Sequence, residues 1–377
     1  MSNISTLEAI PQCYATPSAG MHTSHTLPLK LQAIADAGFR LAEIAFPDLE
    51  AYAQQENPNY KKIGNRGRGD VDVLCQVARK ISSLCEKLGL KVLAVHPFSK
   101  FEGYEDLGKR EESFDRATTW FKVLKALNCQ MLQVGSTDDP SASSDLNVIS
   151  RDLRQLADEA IAQDPPIKIA YELWAWGTHT NTWEGVWEVC KRVDRPNFGL
   201  CLDTFQISAR TYMLPDPPHT THEDIFPSPP GVPVPLHLTS SLRRLTEVFS
   251  EPAAREKIFY FQISDGSGPG RVSSAELTKT AKEKGISPLY AWSNAWRPLP
   301  YMEDIDPGTQ YGGFLPVLDV IEAVLRTGWR GPWSYEVFYE ADMSRDDPGV
   351  PLKWTKAAME SRKRIFEALK PFHMDSN

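Results

Sequence analysis

The sequence predicts a (β/α)8 TIM barrel with long βα loops after strands six and seven, and three observations predict it. Eight short β-rich runs alternate with longer helical patterns along the 377 residues. No GxGxxG follows the first run, which disfavours an open doubly wound sheet. The last four runs each offer one oxygen-bearing side chain near their ends, where a barrel gathers its functional groups.

The first run, "TLEAIPQCY" (6–14), is the weakest. The others are "FRLAEIAF" (39–46), "KVLAVHPF" (91–98), "CQMLQVGS" (129–136), "IKIAYELWA" (167–175), "FGLCLDTFQI" (198–207), "IFYFQISD" (258–265) and "WSYEVFY" (333–339). Helical periodicity fills 27–38, 71–89, 116–128, 145–163, 182–193, 240–249 and 316–328. Several of these stop at Gly or Asn just before the next strand. Two stretches interrupt the rhythm. Residues 210–237 form a Pro-rich insert, and 264–315 is broken by Gly and Pro. Both follow strands, so both should hang over the C-terminal face; a loop as long as 210–237 suits a lid. The chain is expected to form one barrel domain over 1–377, with a helical extension over 340–377.

Composition narrows the function. The chain is 41% hydrophobic and 24% charged, as a globular protein should be. It has no apolar run near the roughly 18 residues that span a bilayer. "MSNISTLEAIPQCYATPSAG" lacks the basic start and apolar stretch of a secretory signal. The six cysteines are scattered, without CxxC spacing, and read as reduced thiols of a cytoplasmic protein. A net charge of −8 disfavours a nucleic-acid partner. Trp and Pro in the long loops offer surface for a homo-oligomer contact.

Single acids sit in otherwise apolar strand ends: Glu172 in "YELWAW" and Asp203 in "LCLDTF". Burying an unpaired carboxylate costs on the order of several kcal/mol, and a metal ion would offset that cost. Gln262 ends the seventh strand and Glu336 the eighth. Strand alternation sets Glu172 in phase with Ala170 and Trp174, and Glu336 with Ser334 and Phe338. With these parities inward, Glu172, Asp203, Gln262 and Glu336 form an all-oxygen site. Such a site suits one hard divalent ion, Mg2+, Mn2+ or Co2+.

At these residues the chain resembles the xylose isomerase-like TIM barrels, and within them the fungal 3-dehydroshikimate dehydratases of the quinate pathway. The segments carrying the resemblance are 97–103, 167–207, 259–266, 291–302 and 312–338. The resemblance implies a metal set of Glu172, Asp203, Gln262 and Glu336, and a substrate arginine, Arg297. It implies a lyase that converts 3-dehydroshikimate to protocatechuate through a metal-stabilised enolate. The alternative is a sugar or inositol isomerase, epimerase or dehydratase of the same superfamily, since an enediolate needs the same stabilisation. Either way the partner is a small polyhydroxylated oxo acid or sugar.

The chain departs from the family where His96 replaces a Gln, Ser99 an Arg often found in bacterial members, and Gln206 a His. His96 is the first choice of base. Glu43 is placed to orient the base or a substrate hydroxyl. Arg297 is expected to hold a carboxylate by a bidentate contact. Lys100, Glu102, Gln206 and Trp174 complete the expected substrate-binding set. A DNA-repair endonuclease of the superfamily would need clustered histidines and a basic groove, and the chain supplies neither.

Overall fold

The computed structural model describes residues 7–213 and 234–374. Eight parallel strands close a barrel: β1 Gln12–Ala15, β2 Leu41–Ala45, β3 Lys91–Phe98, β4 Met131–Gly135, β5 Lys168–Glu172, β6 Phe198–Asp203, β7 Ile258–Ile263 and β8 Trp333–Tyr335. Closure comes from β1 against β8, where Gln12, Cys13 and Tyr14 register with Trp333, Ser334 and Tyr335.

Alternation along the strands decides what faces the interior. Ala94, Met131, Ala170, Cys201 and Tyr260 form a small cluster of their own inside the barrel. The residues between them, such as Val95, Leu132, Ile169, Leu200 and Phe261, belong to the large cluster shared with the helices. Both sets are buried, which is why parallel strands read as near-continuous apolar runs. Two residues further along each strand from the inner cluster come His96, Gln133, Glu172, Asp203 and Gln262. A layer of polar side chains therefore sits directly above the small interior layer.

Several ends differ from the sequence expectation. In the first run only Gln12–Ala15 is strand, and residues 7–8 are helical. Pro11 has no N–H to donate, and sheet pairing begins at its carbonyl, which accepts from Trp333. The sixth run stops at Asp203, whose carboxylate caps the helix Thr204–Tyr212 by accepting from the Gln206 N–H. The fifth stops at Glu172. The eighth breaks after Tyr335, and Phe338–Tyr339 pairs antiparallel with Trp296–Arg297 in a separate ribbon. Glu336 lies in the gap between the two.

The stretch 264–315 is folded: it contains helices Ser274–Lys284 and Pro288–Ala295. Its base is pinned by Asp265, whose Oδ1 accepts from the N–H groups of Gly266, Phe314 and Leu315. Most of the Pro-rich insert, residues 214–233, lies outside the described residues, and the lid expectation with it. Within the expected extension, helix Val350–Met374 runs beside helix Leu27–Asp36; Trp354 and Ile365 are buried, and Thr355 Oγ1 donates to Ala33 O at 3.0 Å. No helix among the described residues is long and apolar enough to cross a membrane.

Candidate metal centre

The polar layer converges on one point. Glu172, Asp203 and Glu336 offer carboxylate oxygens within 4.8 Å of one another, all buried. Gln262, fully buried, is held from behind. Its Nε2 donates to both oxygens of Glu43 at 3.2 Å, while Tyr260 Oη donates to Glu43 Oε2 at 2.8 Å. Glu43 thereby fixes which end of the Gln262 amide faces away from it, and Gln262 Oε1 has no partner among the described residues. Glu172 is fixed in the same manner. Gln133 Nε2 and Trp174 Nε1 both donate to its Oε2, the latter at 2.9 Å. Its Oε1 is buried without a partner among the described residues.

Two buried oxygens without donors, beside two further carboxylates, are what a hard divalent ion requires of its ligands. The donor set fits such an ion. Charge agrees: Glu43, Glu172, Asp203 and Glu336 bring four acids, against one fixed cation, Arg297, and the titratable His96. Burial, reinforced by the charges of Glu336 and Asp203, pushes the Glu172 carboxyl well above its ordinary range. Burial lifts Asp203 to about 6 despite the neighbouring Arg297. Burial also lifts Glu43. Glu336 goes the other way: burial opposes its charge, but Arg297 and His96 together hold it below the usual carboxylate range.

His96 is 1% exposed, with Nδ1 at 3.4 Å from Glu336 Oε1 and Nε2 without a partner among the described residues. Burial disfavours its charged form, yet Glu336 and Glu43 outweigh burial and raise its pKa.

Arg297 departs from expectation. It is brought to the centre, but its Nη1 donates to Glu336 Oε2 at 2.9 Å, its Nη2 to Asp203 Oδ2 and its Nε to Ser264 Oγ at 2.7 Å. Each of its three nitrogens already donates to the chain, so it does not stand open for a bidentate substrate contact. The rings of Phe205 and Phe338 lie 5.0 and 5.7 Å from the guanidinium carbon.

Trp174 stands at the mouth and leans on Trp176, which stacks on Tyr290 at 4.5 Å and 5°. Gln206 approaches the centre through its backbone, while its Oε1 accepts from Ala175 N at 2.8 Å and ties the β5 and β6 loops together. Two expected substrate groups are not brought in. Lys100 has a side chain 58% exposed and faces Asp138 at 3.9 Å. Glu102 is buried behind β5, accepting from Thr137 N at 2.8 Å and from Tyr171 Oη at 2.9 Å. Tyr171 precedes Glu172 on the strand and so points to the outer layer. Burial raises Glu102 to about 7.

Sequence reasoning missed Gln133, Tyr260 and Ser264. Gln133 and Tyr260 were reachable: each lies in phase with an inward residue, Gln133 with Met131 and Tyr260 with Gln262. Ser264 follows β7 and carries no pattern.

The sequence profile of the xylose isomerase-like TIM barrels matches residues 31–365. The chain belongs to this family. A 3-dehydroshikimate dehydratase of Neurospora crassa is 29% identical over 350 residues, covering 90% of each chain. One from Pseudomonas aeruginosa is 30% identical over 85% of this chain, which spans only 37% of that longer protein. Among solved structures, an IOLI protein with a binding zinc atom superposes with a TM-score of 0.61 at 16% identity, covering 95% of this chain and 99% of that one. A probable 3-DHS dehydratase from Bacillus anthracis gives 0.52 at 12% identity, covering 93% and 98%. At such identities the structures share the fold.

Proposed function

We propose that this chain is a divalent-metal-dependent dehydratase that converts 3-dehydroshikimate to protocatechuate. One observation carries the reading: three buried carboxylates offer oxygens within 4.8 Å of one another, and Gln262, in register with Asp203 on the next strand, keeps a buried amide oxygen without a partner among the described residues. Relatives named as 3-dehydroshikimate dehydratases support the choice of substrate.

Glu172, Asp203, Gln262 and Glu336 would hold the ion. Bound there, it supplies Lewis-acid stabilisation of the negative charge that appears on a ketone oxygen when the adjacent proton leaves. The chain supplies the rest. His96 Nε2 takes the proton and returns it to the departing hydroxyl, which leaves as water; Glu336, facing Nδ1, holds the ring and favours the imidazolium formed in between. Glu43 keeps Gln262 turned the right way, and Gln133 and Trp174 do so for Glu172. Trp174, bonded to Glu172 through its Nε1 and backed by the stacked Trp176 and Tyr290, puts aromatic surface beside the site.

A second reading, a neutral-sugar isomerase or epimerase, is favoured by one observation. Arg297 is engaged with Asp203 and Glu336, and Lys100 is on the surface, so neither expected anchor offers itself to a substrate carboxylate. One experiment separates the two. Metal-loaded protein in D2O is given 3-dehydroshikimate or a panel of ketoses, and loss of the proton next to the carbonyl is followed by NMR. Exchange or turnover with 3-dehydroshikimate alone supports the dehydratase. Exchange confined to ketoses overturns it.

A further inference from the structure

Lys30 and Asp48 form an ion pair that the metal centre does not explain. Lys30 Nζ donates to Asp48 Oδ1 at 2.7 Å, with the lysine side chain 5% exposed and the aspartate 18%. Replacing a buried ion pair by apolar side chains of similar volume is often neutral or stabilising, so stability alone does not account for this one. Asp48 Oδ2, moreover, is buried without a partner among the described residues. A buried acceptor left without a donor costs stability.

The pair sits against the metal centre. Ala45 of β2 registers with His96 of β3, and Asp48 follows Ala45 in the first turn of helix Phe46–Glu56. After burial and the contacts with Glu336 and Glu43, the charge of Asp48 also acts on His96. His96 Nε2 shares the condition of Asp48 Oδ2: buried, without a partner among the described residues. On their other side, Lys30 and Asp48 line a cavity of about 500 Å3 that also borders Phe338, the ring beside Arg297. Such a volume suits a small molecule.

The chemistry of the pair selects its ligand. An ammonium only donates, so Lys30 holds Oδ1 and leaves Oδ2 as the open acceptor. The pair is neutral as a whole, so a neutral donor suits it better than a second anion. A hydroxyl meets both demands: it donates to Oδ2 and can accept from a neighbouring N–H at the same time.

We propose that Asp48 Oδ2, set by Lys30, accepts a substrate hydroxyl beside His96, and that this contact selects polyhydroxylated substrates. Asp48 orients the hydroxyl and Lys30 positions Asp48; neither exchanges a proton. That the hydroxyl belongs to a cyclohexene ring rests on the dehydratase reading. The subsite itself would serve a ketose equally.

The test uses the full chain loaded with Mn2+, with calorimetric titration of shikimate and of its three monodeoxy forms, each lacking one ring hydroxyl. Asp48→Asn should weaken shikimate about tenfold, as a charge-assisted hydrogen bond becomes a neutral one. For one deoxy form that weakening should vanish, because the hydroxyl concerned is already gone. Mn2+ affinity should stay as in wild type, since Asp48 is not among the proposed ligands. Equal shikimate affinity in wild type and Asp48→Asn overturns the proposal. So does equal weakening for shikimate and all three deoxy forms, which would make Asp48 a support of His96 and not a hydroxyl acceptor. If Asp48→Asn does not fold, the double variant Lys30→Met with Asp48→Leu removes the pair without stranding a charge. It should show the same selective loss, and a uniform or absent loss there overturns the proposal. If wild type binds no shikimate, ketoses and their deoxy forms take its place. Selective loss with ketoses sinks the dehydratase reading while supporting the subsite; uniform or absent loss sinks the subsite. Turnover of 3-dehydroshikimate by wild type, without selective loss in Asp48→Asn, sinks the subsite alone.

Discussion

Glu43→Gln should damage the metal site without touching a ligand. Glu43 gives two acceptor oxygens to two donors: Tyr260 Oη at 2.8 Å, and Gln262 Nε2 at 3.2 Å from each oxygen. An amide in its place offers one oxygen and one NH2. One of the two donors then faces another donor, inside a site where all three residues are fully buried. Leaving a buried polar group unpaired costs about 1–3 kcal/mol. The cheapest escape is for Gln262 to turn over, accepting from the new NH2 and pointing its own NH2 at the metal position. A bound ion would then lose the neutral oxygen of the proposed set and meet a donor instead. Removing an outer partner of a metal ligand typically weakens binding about 10- to 100-fold, or about 1.4–2.7 kcal/mol. Titration of the stripped protein with Mn2+ measures this directly, and Glu43→Asp serves as a control that keeps the charge. Mn2+ affinity in Glu43→Gln within about twofold of wild type would refute the claim that Glu43 sets the orientation of Gln262.

Three further outcomes follow from the geometry. A Cβ at Gly135 would overlap the Trp174 indole; Gly135→Ala should push that ring off Glu172, costing about 1–3 kcal/mol by overpacking, and an unchanged urea midpoint would contradict it. Glu102 is held protonated by burial, its pKa raised to about 7 in the fold against roughly 4.3 when unfolded. Its contribution to stability is therefore full below the unfolded value and lost as pH rises through about 7. Glu102→Gln should match wild type near pH 4 and exceed it at pH 8, by up to about 3 kcal/mol; urea titrations showing the reverse order would refute the assignment. Finally, a divalent ion at 100 times its Kd should stabilise wild type by about 2.7 kcal/mol. That increment should largely disappear in Glu336→Gln, read as the shift in Tm with Mn2+.

The barrel was legible because period-2 and period-3.6 patterns alternate cleanly from residue 39 onward. The first strand was only faintly so, because Pro11 and four strand residues carry too short a pattern. Strand ends were overrun at β5 and β6 because the apolar signal continues past Glu172 into Leu173 and Trp174, and past Asp203 into Phe205 and Ile207. These residues are buried by loops and a helix, with no sheet pairing of their own. Glu172, Asp203, Gln262 and Glu336 showed themselves as polar residues in apolar runs. What each touches did not. Arg297 looked like a free anchor until a two-residue ribbon with Phe338–Tyr339 placed it between Asp203 and Glu336. Glu102, six residues beyond His96, looked equally close to the mouth. Left-handed backbone at Lys100 and Gly103, on either side, carries it behind Tyr171 instead.

The proposed dehydration requires an ion held by these converging oxygens. The most direct measurement is the ultraviolet absorbance of protocatechuate formed from 3-dehydroshikimate by chelator-stripped protein, before and after Mg2+, Mn2+ or Co2+ is restored. The expected result is no product from the stripped protein, product on adding at least one of these ions, and none from Glu172→Gln under the same conditions. Equal product from stripped and loaded protein, or none with any of the three ions, would contradict it.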